Sequence, residues 1–160
     1  FVCLFIAQSA SAQVAPVQSD ALQTNRMIDT PNLPQKSVAT SDDTTSLYFN
    51  PAGLGYHALQ LGYFYGRNQQ NRLDDHMLFL NLLGIAFSTQ WRLGDTNDYA
   101  RRYTLGMGII NTASFSLGTS YSWYSSSFGY LDRYNQWDIG AIFRPWRRLS
   151  FGAVGRALNK

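Results

Sequence analysis

The chain has 160 residues, of which 15% are aromatic and only 14% are charged, and its formal net charge is +3. An ordinary soluble domain carries about 25% charged residues. Here every acidic residue is aspartate, and only Lys36 and Lys160 are lysines. Because glutamate and lysine favour solvated helix surfaces, their near absence argues against helices, and the abundance of Tyr, Phe, Trp, Thr, Ser and Gly favours β-structure.

The distribution of charge and hydropathy excludes further classes. The arginines are scattered, and no basic run with interleaved aromatic residues occurs, so nucleic acid is not a predicted partner. No stretch of 18 apolar residues occurs, so a transmembrane helix is not predicted. Membrane-spanning β-strands remain compatible with the sequence, because their alternating residues average to a low hydropathy.

Residues 1–12 are interpreted as the end of a signal peptide. An apolar run precedes Ala10-Ser11-Ala12, a pattern typical of a cleavage site. No initiator Met or basic region precedes that run, so we expect the sequence to begin inside the peptide. Cys3 is the only cysteine, and its removal predicts a mature chain with neither disulfide nor reactive thiol. A buried N-terminal strand or helix is the alternative.

Residues 13–45 are polar, contain many Gln, Ser, Thr, Asp and Pro residues, and show no periodicity. They are predicted to form a mobile lead-in segment. All 13 glycines and 22 of the 24 aromatic residues lie beyond residue 46. This change in composition predicts a domain that covers residues 46–160.

From Tyr56 onward, apolar and polar residues alternate with a period of two. The clearest stretch places Phe115, Leu117, Tyr121 and Trp123 on one face and serines and a glycine on the other. This alternation is typical of strands. Seven strands are predicted, at 58–66, 76–82, 84–92, 102–109, 113–123, 137–144 and 149–158.

The Ser- and Gly-rich polar face indicates which kind of β-protein this is. It is a poor outer coat for a soluble protein but a plausible lining for the interior of a membrane barrel. The apolar face ends in aromatic residues, which suit the girdles of such a barrel. The girdle candidates are Tyr63, Tyr65, Trp91, Tyr121, Trp123, Trp137 and Trp146.

The predicted connections alternate between long and short, as they do between the outer loops and periplasmic turns of membrane barrels. This alternation places the N-terminal segment in the periplasm. An odd number of strands is unusual for a bacterial barrel, so further strands are expected beyond residue 160. The predicted fold is therefore an all-β, antiparallel, up-and-down membrane β-barrel, of which this chain supplies about seven strands.

A motif lies between the lead-in segment and the first predicted strand. One of its two aspartates is expected to cap the local turn, and Asn50-Pro51 is expected to bend the chain. Gly53 and Gly55 are expected to adopt backbone conformations forbidden to other residues. The motif consists of Asp42, Asp43, Asn50, Pro51, Ala52, Gly53 and Leu54.

This motif resembles the N-terminal signature of FadL-like and PorV-like outer-membrane proteins. A FadL likeness implies passage of hydrophobic small molecules, and a PorV likeness implies a scaffold or shuttle for secreted proteins. Either likeness implies a non-catalytic protein of the bacterial outer membrane, with membrane lipid as a partner and no cofactor.

A second likeness is to the N-terminal barrel region of some large signal peptide peptidase A (protease IV) proteins. It implies a downstream peptidase part with a serine nucleophile and a lysine base. Lys36 and Lys160 lie in a mobile segment and at the terminus, so no catalytic residue of that family is assigned here. The stretches that carry the likeness are 37–43, 102–106, 137–140 and 143–152.

Few residues are candidates for site chemistry. His57 and His76 are the only histidines, and a solvated loop explains the Asp74-Asp75-His76 cluster better than a metal site does. Adjacent aspartates in a strand would face opposite sides and could not act as a pair.

Two groups of charged residues leave alternatives open. The first group surrounds a tight turn and either anchors it at lipid head groups or is a solvated basic turn; it consists of Arg144, Arg147 and Arg148. The second group lies on the polar face and either shapes a polar path or pairs to fill the interior; it consists of Arg92, Arg102, Asp138 and Arg156.

A soluble all-β binding domain is the third hypothesis, after the transporter or scaffold and the peptidase-associated barrel. The burial of the apolar face separates it from the membrane hypotheses. A structure in which Phe115, Leu117, Tyr121 and Trp123 pack into a closed interior would contradict a membrane barrel.

Overall fold

Seven antiparallel strands form one sheet in chain order, and the sheet curls into a half-barrel. The computed structural model describes Leu33 and residues 36–68, 73–93, 99–127, 133–146 and 148–159. The predicted signal peptide and residues 13–32 lie outside the described residues. The strands are β1 Leu59–Asn68, β2 Leu73–Leu82, β3 Ile85–Leu93, β4 Tyr99–Asn111, β5 Phe115–Ser126, β6 Asn135–Trp146 and β7 Leu149–Gly155.

The prediction of an all-β antiparallel sheet is confirmed, and each predicted strand is present. Several strands are longer than predicted: β2 begins at Leu73 and β4 at Tyr99. The alternation predicts a later start for both strands, because polar residues interrupt it there. In the structure Asp74 and Asp75 continue the ladder opposite Arg67 and Gly66, since backbone pairing does not depend on side-chain polarity.

The last strand is shorter than predicted. β7 ends at Gly155, and the chain then turns at Ala157, whose φ is +53°. Asn159 beyond the turn accepts a hydrogen bond from the Trp137 backbone N–H at 3.0 Å, and the Leu158 N–H donates to the Trp137 carbonyl at 2.9 Å. The chain after β7 therefore satisfies backbone groups at one end of β6.

The alternation separates an inner, concave face from an outer, convex face, and burial is the reverse of that in a soluble sheet. In β5 the inner residues Ser120 and Ser122 are only 2% and 1% exposed, whereas the outer residues Phe115 and Trp123 are 38% and 37% exposed. The apolar residues thus do not pack into a closed interior within the described part of the chain.

Residues 36–57, called here the inner segment, lie on the inner face. They contain a short helix, α1 (Ser46–Phe49), and a 3₁₀ helix (Pro51–Tyr56) that lies against β4, β5 and β6. The predicted boundary between the lead-in and the barrel, at residues 45 and 46, falls inside this stretch. The structure shows one continuous stretch without period-two alternation, because its residues contact several strands in turn.

The inner segment brings its few apolar side chains against the sheet in two small clusters. One consists of Leu47, Leu54 and Ala86. The other contains Leu33, Tyr48, Met77 and Phe79. In the second cluster the rings of Tyr48 and Phe79 meet edge to face, with centroids 5.4 Å apart, a favourable aromatic geometry.

The connections alternate in length, although less strongly than predicted because the strands extend into them. The β2–β3 turn has positive φ at both Leu83 (53°) and Gly84 (85°), as a type I′ hairpin turn requires. The longer connections are 69–72, 94–98 and 127–134, and the shorter are 83–84, 112–114 and 147–148.

Leu83→Asn should stabilise the protein. A left-handed conformation is costly for leucine and less so for asparagine, and Asn-Gly is a preferred type I′ pair. We expect a gain of about 0.5–1 kcal/mol, measured as a higher urea midpoint of unfolding. Leu82→Asn, which places the same residue in extended backbone, is the control and should give no gain. An unchanged midpoint for Leu83→Asn would show that the turn is not strained.

Candidate functional site

Asp43 organises the turn at the start of the inner segment. Its Oδ1 accepts a hydrogen bond from the Thr45 backbone N–H at 3.0 Å, and its carbonyl accepts one from the Ser46 N–H at 2.9 Å. Lys36 forms an ion pair with the Asp43 carboxylate. Of the two aspartates in the motif, Asp43 therefore provides the predicted stabilisation of the turn.

Opposing effects set the pKa of Asp43. Burial raises the pKa of this carboxyl group. Hydrogen bonds from Lys36 and Thr45 and the positive charge of Lys36 together lower the pKa by a larger amount. The net pKa lies below the ordinary value of 3.8.

Asn50 ties the inner segment to two strands of the sheet. Its side chain is fully buried. The amide nitrogen donates to the carbonyls of Val38 at 2.9 Å, Ala141 at 3.1 Å and Ala153 at 3.5 Å. Its Oδ1 accepts from the Ala52 backbone N–H at 3.1 Å. One side chain thereby satisfies backbone groups in β6, in β7 and on both sides of itself in the inner segment.

The motif comes closest to the sheet at positions where the strands have glycine. A Cβ added at Gly118 would lie 2.2 Å from the Pro51 carbonyl oxygen, and one at Gly140 would lie 1.9 Å from Asn50 Oδ1. Both distances are far shorter than van der Waals contact. Any side chain at these two positions would therefore displace the motif.

The glycines form a row across the sheet. Gly108 pairs with Gly118, and Gly118 pairs with Gly140, so three neighbouring strands have glycine at one level. In β7 a Cβ at Gly152 would lie 2.6 Å from Ala39. The alternation predicts these glycines only as part of a polar lining. The recurrence of glycine at inward-facing positions of successive strands was the signal for a close approach.

The prediction for Gly53 and Gly55 is wrong. Gly84 is the only glycine with positive φ among the described residues. The reason for glycine is space, because a Cβ at Gly53 would lie 1.9 Å from the Ser41 carbonyl oxygen, and one at Gly55 would lie 2.9 Å from the Asn111 side chain.

The charged residues of the inner face have partners within the fold. Arg92 Nε lies 3.0 Å from the Asp75 carboxylate, and Gln90 donates to the same carboxylate at 3.0 Å. The guanidinium of Arg102 lies 4.3 Å from the centre of the Tyr48 ring, within the range of a cation–π interaction.

The charged residues of the inner face that lie near β7 also have partners within the fold. The Asp138 carboxylate accepts hydrogen bonds from the Gln136 side chain at 2.8 Å and from the Ala157 backbone N–H at 2.9 Å. Arg156 donates to the Tyr48 carbonyl at 3.1 Å. Of the two alternatives for the inner charged residues, the structure therefore supports pairing that fills the interior.

The seven girdle candidates all belong to the outward-facing set of their strands. Several form a continuous aromatic surface: Tyr103 and Trp123 stack at 5.7 Å, and the rings of Tyr121 and Trp137 lie 5.2 Å apart. Trp146 is 70% exposed beside the tight β6–β7 turn.

The two described basic residues at that turn, Arg144 and Arg148, have different surroundings. The Arg144 guanidinium lies over the Tyr56 ring at 4.4 Å, on the inner side, so it does not face the surroundings of the outer face. Arg148 is exposed, and Arg147 lies outside the described residues.

The interpretation of Asp74, Asp75 and His76 as a solvated loop is wrong, because all three residues belong to β2. Asp75 is buried on the inner face whereas Asp74 belongs to the outer face, so the two carboxylates diverge. Among the described residues, no three His, Cys, Asp or Glu side chains come together. Within the same part of the chain, no helix has the length and apolar character needed to cross a membrane.

Comparison of the chain with protein-family models, curated proteins and solved structures finds no match. The likenesses to FadL-like and PorV-like proteins and to the protease IV barrel region stay predictions from the sequence.

Asn50→Ala should destabilise the fold strongly. It leaves the Ala52 N–H and the Val38 and Ala141 carbonyls buried without their partner, which costs about 3 kcal/mol in the free energy of unfolding. Asn111→Ala is the control, because this exposed side chain donates to the Gly55 carbonyl and accepts from the Ser116 hydroxyl, and its loss should cost less than about 1 kcal/mol. Equal losses in urea unfolding would contradict the central role of Asn50.

Asp43 should contribute stability that disappears in acid. Because its pKa is lowered in the folded state, its contribution is present above the unfolded-state pKa and is lost as pH falls through the folded-state pKa. We expect Asp43→Asn to be less stable than the wild type at pH 7, with the gap closing in acid as pH falls from 7 through the lowered folded-state pKa of Asp43. Urea midpoints across this range measure it. Lys36→Gln should narrow the gap, and a gap independent of pH would contradict the assignment.

Proposed function

We propose that this chain forms part of the wall of a bacterial outer-membrane β-barrel of the FadL/PorV type, non-catalytic in this region. The observation that carries the proposal is the inverted burial of the sheet: its polar face is covered and its apolar face is exposed. A soluble domain loses stability and solubility from such a face, whereas a lipid bilayer covers it.

The apolar surface is extensive and continuous. Leu61 is 73% exposed, Phe151 is 54% exposed and Ile139 is 46% exposed, and these residues belong to β1, β7 and β6. The outward-facing apolar residues therefore extend from one edge of the sheet to the other. Soluble monomeric proteins rarely expose a contiguous apolar patch larger than a few hundred Å².

The height of the apolar surface supports a membrane. In β5 the outward-facing residues are uncharged from residue 115 to residue 123. Eight steps of about 3.4 Å correspond to about 27 Å along the strand. At a tilt of about 40° this amounts to about 21 Å, close to the band of roughly 25 Å of outer-membrane barrels. Tyr121, Trp123 and Trp146 lie toward its two ends, as interfacial aromatic residues do.

The inner face favours a scaffold over an open pore. The inner segment lies on the wall without room for side chains at Gly118 and Gly140, and Asn50 holds it by buried hydrogen bonds. A solute that moved along this face would have to displace that contact. A membrane-embedded wall with a filled interior suits the scaffold or shuttle role that the PorV likeness implies, with a secreted protein as the partner.

Leu105→Arg tests the proposal, because the two environments predict opposite results. Leu105 is 49% exposed on the outer face and lies near the middle of the apolar surface. In lipid, an arginine there should cost about 2–4 kcal/mol. In water it should be within about 0.5 kcal/mol of neutral and should improve solubility. The full chain is folded into lipid vesicles, and its free energy of unfolding is measured in urea.

Leu93→Arg is the matched control. Leu93 is also 49% exposed but lies at the end of β3, where an arginine in a membrane protein costs only about 0–1 kcal/mol. A large difference between the two variants supports a membrane barrel. Equal, small effects, or a chain that stays soluble without lipid, would overturn it.

A further inference from the structure

Ionisable residues on the outer face are confined to one end of the sheet. Apart from tyrosines, the outward-facing strand residues with described side chains include only three: Asp74, His76 and Arg101. All three lie toward the connections 69–72 and 94–98, and the other outward-facing strand residues whose side chains are described carry no charge. This end therefore borders the apolar surface with groups that can bind polar ligands.

Four residues at this border form one row across neighbouring strands. His76 pairs with Trp91, Trp91 pairs with Arg101, and Arg101 pairs with Ser125. Since neighbouring strands are about 4.8 Å apart, the row is about 14 Å long. It is called here the outer row.

The outer row has hydrogen-bond donors that the described part of the chain does not use. Arg101 is exposed, and its guanidinium lies 5.1 Å from the centre of the Tyr99 ring but forms no hydrogen bond or ion pair with a described residue. The Trp91 Nε1–H and the Ser125 hydroxyl likewise have no hydrogen-bond partner among the described residues.

His76 is held in place by one of its two nitrogens. Its Nδ1 lies 2.8 Å from the Tyr63 hydroxyl, and its ring packs against Tyr65 with centroids 5.0 Å apart. This arrangement fixes the ring and leaves Nε2 for another partner. The nearest outward-facing carboxylate, on Asp74, accepts a hydrogen bond from the Tyr65 hydroxyl at 3.2 Å, and lies beyond the row, farther from the apolar surface.

We propose that the outer row binds the phosphate of an anionic lipid head group. A phosphate oxygen accepts hydrogen bonds from guanidinium, indole and hydroxyl donors, and arginine offers two parallel donors to it. The inference rests on the proposed function, because lipid must surround the outer face. A lipid is favoured over free phosphate because the row adjoins the apolar surface, where Trp91 and Leu78 can contact the acyl chains of the same molecule.

Native mass spectrometry of the full chain, released from detergent after titration with phosphatidylglycerol or phosphatidylcholine, tests the proposal. For the wild type, the first phosphatidylglycerol should bind about fivefold more tightly than the first phosphatidylcholine, the effect of about one arginine near a lipid phosphate. Arg101→Gln should remove most of this preference, and Arg101→Lys should retain part of it because the charge remains.

Lys36→Gln is the control for net charge, since Lys36 lies on the inner segment away from the outer face, and it should leave the preference unchanged. An undiminished preference in Arg101→Gln would overturn the lipid site. Inorganic phosphate that abolishes the preference, where chloride at equal ionic strength does not, would assign the row to free phosphate instead. A chain that does not enter vesicles at all would contradict the proposed function, which the Leu105→Arg variant tests separately.

Discussion

The close contact between the inner segment and the glycines of the wall is the constraint on which the rest of the structure depends. The Pro51 carbonyl lies where a side chain at Gly118 would be, and the Asn50 amide oxygen lies where one at Gly140 would be. The sheet therefore contributes no side chain at either point, and the inner segment lies directly against its backbone. This contact buries the polar face of the sheet, and the hydrogen bonds of Asn50 satisfy polar groups that burial would otherwise leave unpaired.

The contact also determines which residues are left exposed on the outer face. Once the inner face is filled by polar residues and backbone, the leucines, isoleucines and aromatic residues have no interior of their own. They remain exposed across all seven strands, and in the proposed function a lipid bilayer covers them. The polar residues inside are consistent with this division, because Asp75 forms an ion pair with Arg92 and Asp138 accepts a hydrogen bond from the neutral Gln136 side chain.

The sequence was sufficient to predict the strands of the sheet but insufficient to predict how the inner segment lies on them. Period-two alternation predicts each strand, since side chains of a strand point alternately to its two faces. The polar start of β2 was not predicted, because Asp74 and Asp75 resemble loop residues as long as the partner of Asp75 in the fold, Arg92, is unknown. The position of the inner segment was not predicted, because its contacts are with residues far away in the chain and no local periodicity results. The motif was recognised around Asn50, but its partners Ala141 and Ala153 are ordinary outward-parity strand residues whose carbonyls carry no sequence signature.

The hydrogen bonds of Asn50 have a consequence for the order of folding. The hairpins of the sheet join strands that are adjacent in the chain, and such local contacts form first because they close short loops. Asn50 reaches carbonyls that are 91 and 103 residues further along the chain. These carbonyls are in position only after β6 and β7 have paired. The N-terminal part of the domain, although made first, is therefore the last to reach its native contacts, and until then the sheet presents an unoccupied inner face.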